Sequence, residues 1–489
     1  MLTRIALGAV CLSLACGIAT AQDANTVIAN AQKALGAPTS ITYSGSAKDV
    51  SFQQCGANAT QMVCQGTHDP MRPIGSYVRV IDLTGHTTRQ TGTTNNIGPG
   101  GSTAVAPGVF FQQVTPQQAD LSQPWAQSLD LYLTPWGFLN GAAANHATAS
   151  SKRVDGKKYT VVSWSPAVKA PSGKSYTING YVNDKNLVER VETWLGENIM
   201  GDMHILATYS GWQDFGGTMA PAKIVQTRGG WPFFEVDVTG AKANPPDLAS
   251  LAPAPANRPA GPPPGAGGPP ALTVTTEKLG DGLWRLTTGN GSYDSLVVEF
   301  KSYIMMLEAG QSVARGSAYI AEAKKLVPNK PIRYVMNTHP HADHTGGLPA
   351  LVAEGATIVT QENNKKFLDG ALNTPRTLLD DVLAKNPKKA RIETVAEKKV
   401  YSDGTRVVEM YHIYPAPHSN GLIIAYIPKE KVLFQGDFSV TPGQPANDHV
   451  KALVPALEKI KLTDFDRYIN VHASAAPQTK ADVWAAVGK

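Results

Sequence analysis

Residues 244–271 read NPPDLASLAPAPANRPAGPPPGAGGPPA, and ten of these 28 residues are proline. Proline locks φ and removes a backbone donor, so no packed helix or central strand is expected to run through this stretch. It reads as an extended, semi-rigid linker. It divides a chain of 489 residues, too long for one hydrophobic core, into two bodies at 22–243 and 272–489.

The N-terminus has its own logic. Arg4 forms a short positive region, residues 5–18 are apolar, and Ala19-Thr20-Ala21 is a small-x-small cleavage site. Residues 1–21 therefore read as a secretory signal peptide, too short for a membrane span, and the mature chain is expected in the periplasm or outside the cell. Ser13-Leu14 before Cys16 is a poor lipoprotein signal. No other stretch is long and apolar enough to span a bilayer. Cleavage leaves Cys55 and Cys64, which suggest one small-loop disulfide, with two free thiols as the alternative. The net charge of +5 is small and the basic residues are scattered, so nucleic acid is not an expected partner.

The segment 22–243 opens with one helical candidate, NTVIANAQKALG. After it come runs rich in β-branched and aromatic residues, such as KYTVVSWSP, SYTINGYV and HILATYSGW, separated by turn formers such as NDKN and DFGG. This predicts an antiparallel meander in a strand-rich α+β domain. NNIGPGGS is glycine-rich but lacks the Lys-Ser/Thr of a phosphate loop and reads as a surface loop. His68, His86, His146 and His204 are isolated and read as surface or hydrogen-bonded residues.

The segment 272–489 alternates strands and helices, which predicts a layered α/β domain. The strand IRYVMNT leads straight into HPHADH, where His339, His341, Asp343 and His344 fall within six positions. His339 and His341 are one residue apart, so on an extended segment both point to one side. Imidazole is a common zinc ligand, and this short loop offers enough donors to start two adjacent sites without completing either. Further ligands are then required at later strand ends. His418 stands before GLIIAYIP, Asp437 follows VLFQG, and His472 ends YINVH. Ligands at successive strand ends converge on one edge of a sheet. His412 and His449 match no ligand pattern and read as structural.

THPHADH followed by His418, Asp437 and His472 resembles the metallo-β-lactamase fold superfamily in order and strand context, across 272–489. The resemblance implies an αββα sandwich with metals at one end of two packed sheets. It implies that His339, His341 and His418 hold one zinc, that Asp343, His344 and His472 hold a second, and that Asp437 bridges them. Two zinc ions would lower the pKa of a shared water and give hydroxide near neutral pH. Asp343 would orient that nucleophile and accept its proton. The implied activity is hydrolysis of an ester, thioester, lactone or lactam-type bond in a small molecule. Aspartate at 437 is typical of thioester hydrolases and lactonases and less so of dedicated β-lactamases, which remain an alternative. Glu308, Asn420 and Ala473 depart from the family pattern around the ligands. A different class of reading is an envelope binding or scaffold protein whose metal domain is accessory.

Overall fold

Runs that alternate β-branched or aromatic residues with polar ones build one antiparallel sheet of 11 strands from the N-terminal half of the chain. The computed structural model describes residues 23–50, 71–98, 101–104, 124–251, 272–288, 293–441, 443–472 and 477–489. The expected signal segment 1–21, Cys55, Cys64, His68, Ala473 and most of the proline-rich stretch lie outside the described residues.

Strand Ser40–Asp49 pairs on one side with Arg72–Asp82 and on the other with Trp231–Ala243. The first and last strands therefore meet inside the sheet, and the others run outward as meanders. Helix Ala24–Ala34 is the expected one, capped by the Asp23 carboxylate on Asn25 N and Thr26 N. Two further helices, Pro124–Tyr132 and Pro135–Ala144, correct the expectation of a single helix. The second starts where Thr134 Oγ1 accepts from Gly137 N at 3.1 Å and proline occupies the first turn. NNIGPGGS is also corrected: it straddles the paired strands Thr87–Gly98 and Gly101–Ala104. His86 and His146 are exposed, and His204 sits 2.9 Å from Glu192 Oε2, as expected of isolated histidines.

The C-terminal half forms a seven-stranded sheet and a five-stranded sheet. Leu296, Val298, Met305, Leu307, Met336, Val408, Met410, Ile423, Phe434 and Ile469 fill the space between the two. Helices Val313–Leu326, Leu348–Glu354 and Glu362–Leu372 contribute Tyr319, Leu351 and Phe367 to the outer face of the first sheet. Helix Asp448–Lys459 covers the second sheet with Val450, Leu453 and Leu457. This is the αββα sandwich that the resemblance implied. Gly355, at φ 101°, ends its helix where a side chain would be strained. No helix among the described residues is long and apolar enough to cross a membrane.

The two halves touch. Asp202 N donates to Pro375 O at 2.6 Å, and the Asp202 carboxylate accepts from Thr377 N and Leu378 N, both at 2.9 Å. Arg376 Nη2 donates to Asn198 O at 2.9 Å, and the Trp231 and Phe367 rings meet edge-on at 6.4 Å. One hydrophobic cluster runs from the N-terminal interior into the outer helix layer of the sandwich.

Candidate metal centre

Strand Ile332–Met336 delivers the chain to buried Asn337 and Thr338 and then to His339. Asn337 Nδ2 donates to His339 O at 2.8 Å and to His344 O at 3.2 Å, which ties the two ends of the HPHADH loop together. His341 is the N-cap of the short helix Ala342–Thr345, which carries Asp343 and His344. His418 lies between strands Val407–His412 and Ile423–Ile427. Asp437 follows strand Val432–Gln435 and His472 follows Arg467–Asn470. All seven residues singled out from the sequence are thus brought to one end of the sandwich.

They fall into two groups, His339, His341, His418 and Asp437, and Asp343, His344 and His472, each with donor atoms within 4.8 Å of one another. The Asp437 carboxylate faces both. Its Oδ2 lies 2.6 Å from His418 Nε2 and 3.6 Å from His339 Nε2. Its Oδ1 lies 2.8 Å from both His344 Nε2 and His472 Nε2. Asp343 Oδ2 sits 3.5 Å from His344 Nε2 and 3.4 Å from His472 Nε2. The His341 ring centroid is 4.4 Å from that of His339 and 4.5 Å from that of His418.

These donors suit a divalent metal. His339 Nε2 and His418 Nε2 face each other at 3.0 Å, and His344 Nε2 and His472 Nε2 at 3.1 Å. A proton can satisfy one nitrogen of such a pair by hydrogen bonding, but a cation satisfies several converging lone pairs at once. Imidazole nitrogens with carboxylate oxygens are a zinc-type donor set.

The outer nitrogens are held separately. Thr338 Oγ1 lies 3.1 Å from His339 Nδ1, and Glu308 Oε2 lies 3.2 Å from His344 Nδ1. Glu308 Oε1 accepts from Thr338 N at 2.6 Å, so one fully buried carboxylate holds both His344 and the backbone just before His339. The departure from the family pattern at 308 therefore keeps a carboxylate behind the site. Asn420, another departure, offers its backbone oxygen to His412 Nε2 at 2.8 Å, which gives His412 its structural role.

Charge is shared unevenly. Burial would drive the His344 imidazole down, but Asp437, Asp343 and Glu308 hold it well above the histidine range. Burial would raise the Asp437 carboxyl, but His344, His418 and His339 hold it well below the carboxylate range. Burial would raise the Asp343 carboxyl as well, but His344, His341 and His472 together lower it. Burial, followed by the charges of His344 and His341, pushes His339 well down.

Two neighbours were not singled out from the sequence as part of the site. His449, in the first turn of helix Asp448–Lys459, is buried with its ring 4.8 Å from His418 in edge contact, and burial lowers its pKa to about 4. Its place at a helix start far from the other histidines carried no signal. Tyr293, at the start of strand Tyr293–Glu299, donates its hydroxyl to Asp343 Oδ2 at 3.2 Å. Burial and the Asp343 carboxylate push its phenol pKa well up.

The four-layer sandwich and its His/Asp groups place the C-terminal half in the metallo-beta-lactamase superfamily, whose family model matches residues 244–475. It is a hydrolase fold of that superfamily with a cluster that could bind metal. Among curated proteins, the alpha subunit of 2,4-dinitroanisole O-demethylase from Nocardioides sp. (strain JS1661) is 26% identical over 222 residues, which cover 43% of this chain and 61% of that one. The chain thus matches about three fifths of the length of that relative. Among solved structures, a metallo-beta-lactamase from Pontibacter korlensis aligns with a TM-score of 0.33 and 18% identity, covering 44% of this chain and 100% of that one. A metallo-beta-lactamase from Hirschia baltica aligns with a TM-score of 0.31 and 19% identity, covering 44% and 95%.

Proposed function

We propose that this protein is an exported, zinc-dependent hydrolase that cleaves an ester, thioester, lactone or lactam-type bond in a small molecule. The observation that carries this reading is the Asp437 carboxylate, with one oxygen 2.6 Å from His418 Nε2 and the other 2.8 Å from His344 Nε2 and His472 Nε2. In this reading His339, His341 and His418 hold one zinc, Asp343, His344 and His472 hold the other, and Asp437 joins them. Bound there, the two ions supply Lewis-acid charge and lower the pKa of water toward neutrality.

The chain's own residues do the rest. The imidazole neighbours of Asp343 lower its carboxyl pKa, and in this reading the carboxylate orients the attacking water and takes up its proton. The side chains of His339 and His344 are fully buried, whereas those of His472, Asp343 and Asp437 keep 28%, 18% and 15% of their exposure. Substrate is therefore taken to approach from the side of His472 and Asp343.

Metal analysis of the purified chain tests the reading first, with about two zinc ions per chain expected from two ligand groups. Turnover is then screened with a thioester, a lactone, a chromogenic lactam and, because of the relative's name, an aryl methyl ether. A metal-free, inert chain that still binds a partner sinks this proposal and favours the scaffold alternative. Export is checked by N-terminal sequencing of the mature chain from the envelope or culture fluid, which should begin at Gln22.

A further inference from the structure

We propose that Tyr293 is a positioning residue of the metal centre, whose hydroxyl holds the Asp343 carboxylate and whose ring holds His472 on the accessible side. The inference rests on the two-metal reading above and assigns one further residue to it.

Three observations carry the argument. First, the Tyr293 hydroxyl is 3.2 Å from Asp343 Oδ2, the same oxygen that sits 3.5 Å from His344 Nε2 and 3.4 Å from His472 Nε2. A donor on that oxygen restricts the carboxylate's rotation. Second, the Tyr293 ring meets the His472 ring at 4.8 Å and 65°, an edge-on contact that limits how far the imidazole can swing. Among the histidines of the second group His472 is the more exposed, so it most needs such a wall.

Third, Tyr293 is itself fixed from behind. The Arg315 guanidinium lies 4.5 Å from its ring centroid in cation–π geometry. Arg315 is only 7% exposed, and among the described residues its Nε and Nη1 have no hydrogen-bond partner. Leaving a buried cation unmatched is costly, and the tyrosine face is one partner that its charge meets. Gly310 makes room for it: a Cβ there would lie 2.8 Å from Arg315 Cδ and 2.9 Å from Arg315 Cγ. On the backbone side, Tyr319 Oη donates to Tyr293 O at 2.7 Å. Gly310, Arg315, Tyr293 and Asp343 thus form a column that ends on a ligand.

The test is Tyr293→Phe in the full-length chain, which keeps the ring and removes the hydroxyl. Competition titration against a chelator reads the two metal affinities, and the cobalt(II)-substituted protein supplies an absorption spectrum of the ligand field. The expected result is a loss of about 10- to 100-fold in affinity at the Asp343, His344 and His472 group, the scale of a lost outer contact. The other group keeps its affinity, the cobalt spectrum changes, and kcat falls with little change in KM. Tyr303→Phe, which removes a hydroxyl whose ring stacks on Phe300, leaves all of these unchanged. Wild-type and variant chains with matching affinities and spectra overturn the role of Tyr293 alone. A wild-type chain that takes up no metal overturns the two-metal reading and this inference with it.

Discussion

Both halves of this chain bury polar groups, and two clusters of them contrast. In the N-terminal sheet, one set of buried donors meets acceptors. Tyr77 Oη donates to Gln90 Oε1 at 2.7 Å, Trp125 Nε1 to Thr193 Oγ1 at 3.2 Å, and Thr193 Oγ1 to Thr177 O at 2.7 Å. The bonds at Trp125 need no ligand, and its ring packs against Tyr132 and Trp164. At the end of the C-terminal sandwich, imidazole nitrogens face one another in pairs and one carboxylate lies close to both pairs. The bonds around Trp125 link one donor to one acceptor at a time, whereas these side chains converge in groups that could hold an ion. The first pattern marks a core and the second a candidate site.

Four changes break or sharpen this contrast. Asp343→Asn should act on the site alone, with turnover falling by about 10²–10³ or more, as for loss of a principal electrostatic group, while the unfolding midpoint moves little. Steady-state kinetics beside circular dichroism melting checks this, and an active variant shows that the role given to Asp343 is wrong. Glu308→Gln comes next. Gln presents an NH₂ either to His344 Nδ1 or to Thr338 N, where one carboxylate now serves both. Metal affinity should drop about 10- to 100-fold, read by chelator titration.

Asp202→Ala probes the seam between the halves. It uncaps Thr377 N and Leu378 N and should cost about 1–2 kcal/mol, the scale of a lost cap. Denaturant unfolding followed by tryptophan fluorescence measures it, and unchanged turnover of the metal-loaded chain is expected. The smallest effect is a pH dependence within the N-terminal sheet. Burial would raise the Glu192 carboxyl, but His204, Tyr181 and Asn179 hold it down to about 2, below its ordinary 4.5. A depressed folded pKa adds stability above pH 4.5 that is lost as pH falls toward 2. Glu192→Gln should flatten the acid unfolding curve in that window, and an unaltered slope rules out this carboxylate as the cause.

The metal centre was legible in the sequence because its residue types are scarce and stand at strand ends. His418, Asp437 and His472 each follow or precede an apolar run, and the HPHADH loop follows another. The layered α/β character was legible because strands and helices alternate, whereas the αββα sandwich was implied by the resemblance that the HPHADH loop and the later ligand candidates carry. What surrounds the ligands was not. Tyr293 and His449 reach the site through tertiary packing, and no local spacing announces either. The helices Pro124–Tyr132 and Pro135–Ala144 were missed because their aromatic residues favour strands and the glycines of the second weaken a helix, and packing overrides those propensities. Gly141, for instance, lets the Trp164 ring approach to where a Cβ would be only 2.3 Å away. The meander itself was expected, whereas the meeting of its first and last strands depends on pairing between residues about 200 positions apart.

Gly436 shows where variation in this protein is least free. It offers no functional group, yet a Cβ there would stand 2.9 Å from Thr338 Oγ1 and 3.2 Å from His339 Nδ1. The gap between the Asp437 loop and the His339 loop is set by the absence of one carbon. A methyl group at 436 must displace the Thr338 hydroxyl or the His339 imidazole before the two loops can approach this closely.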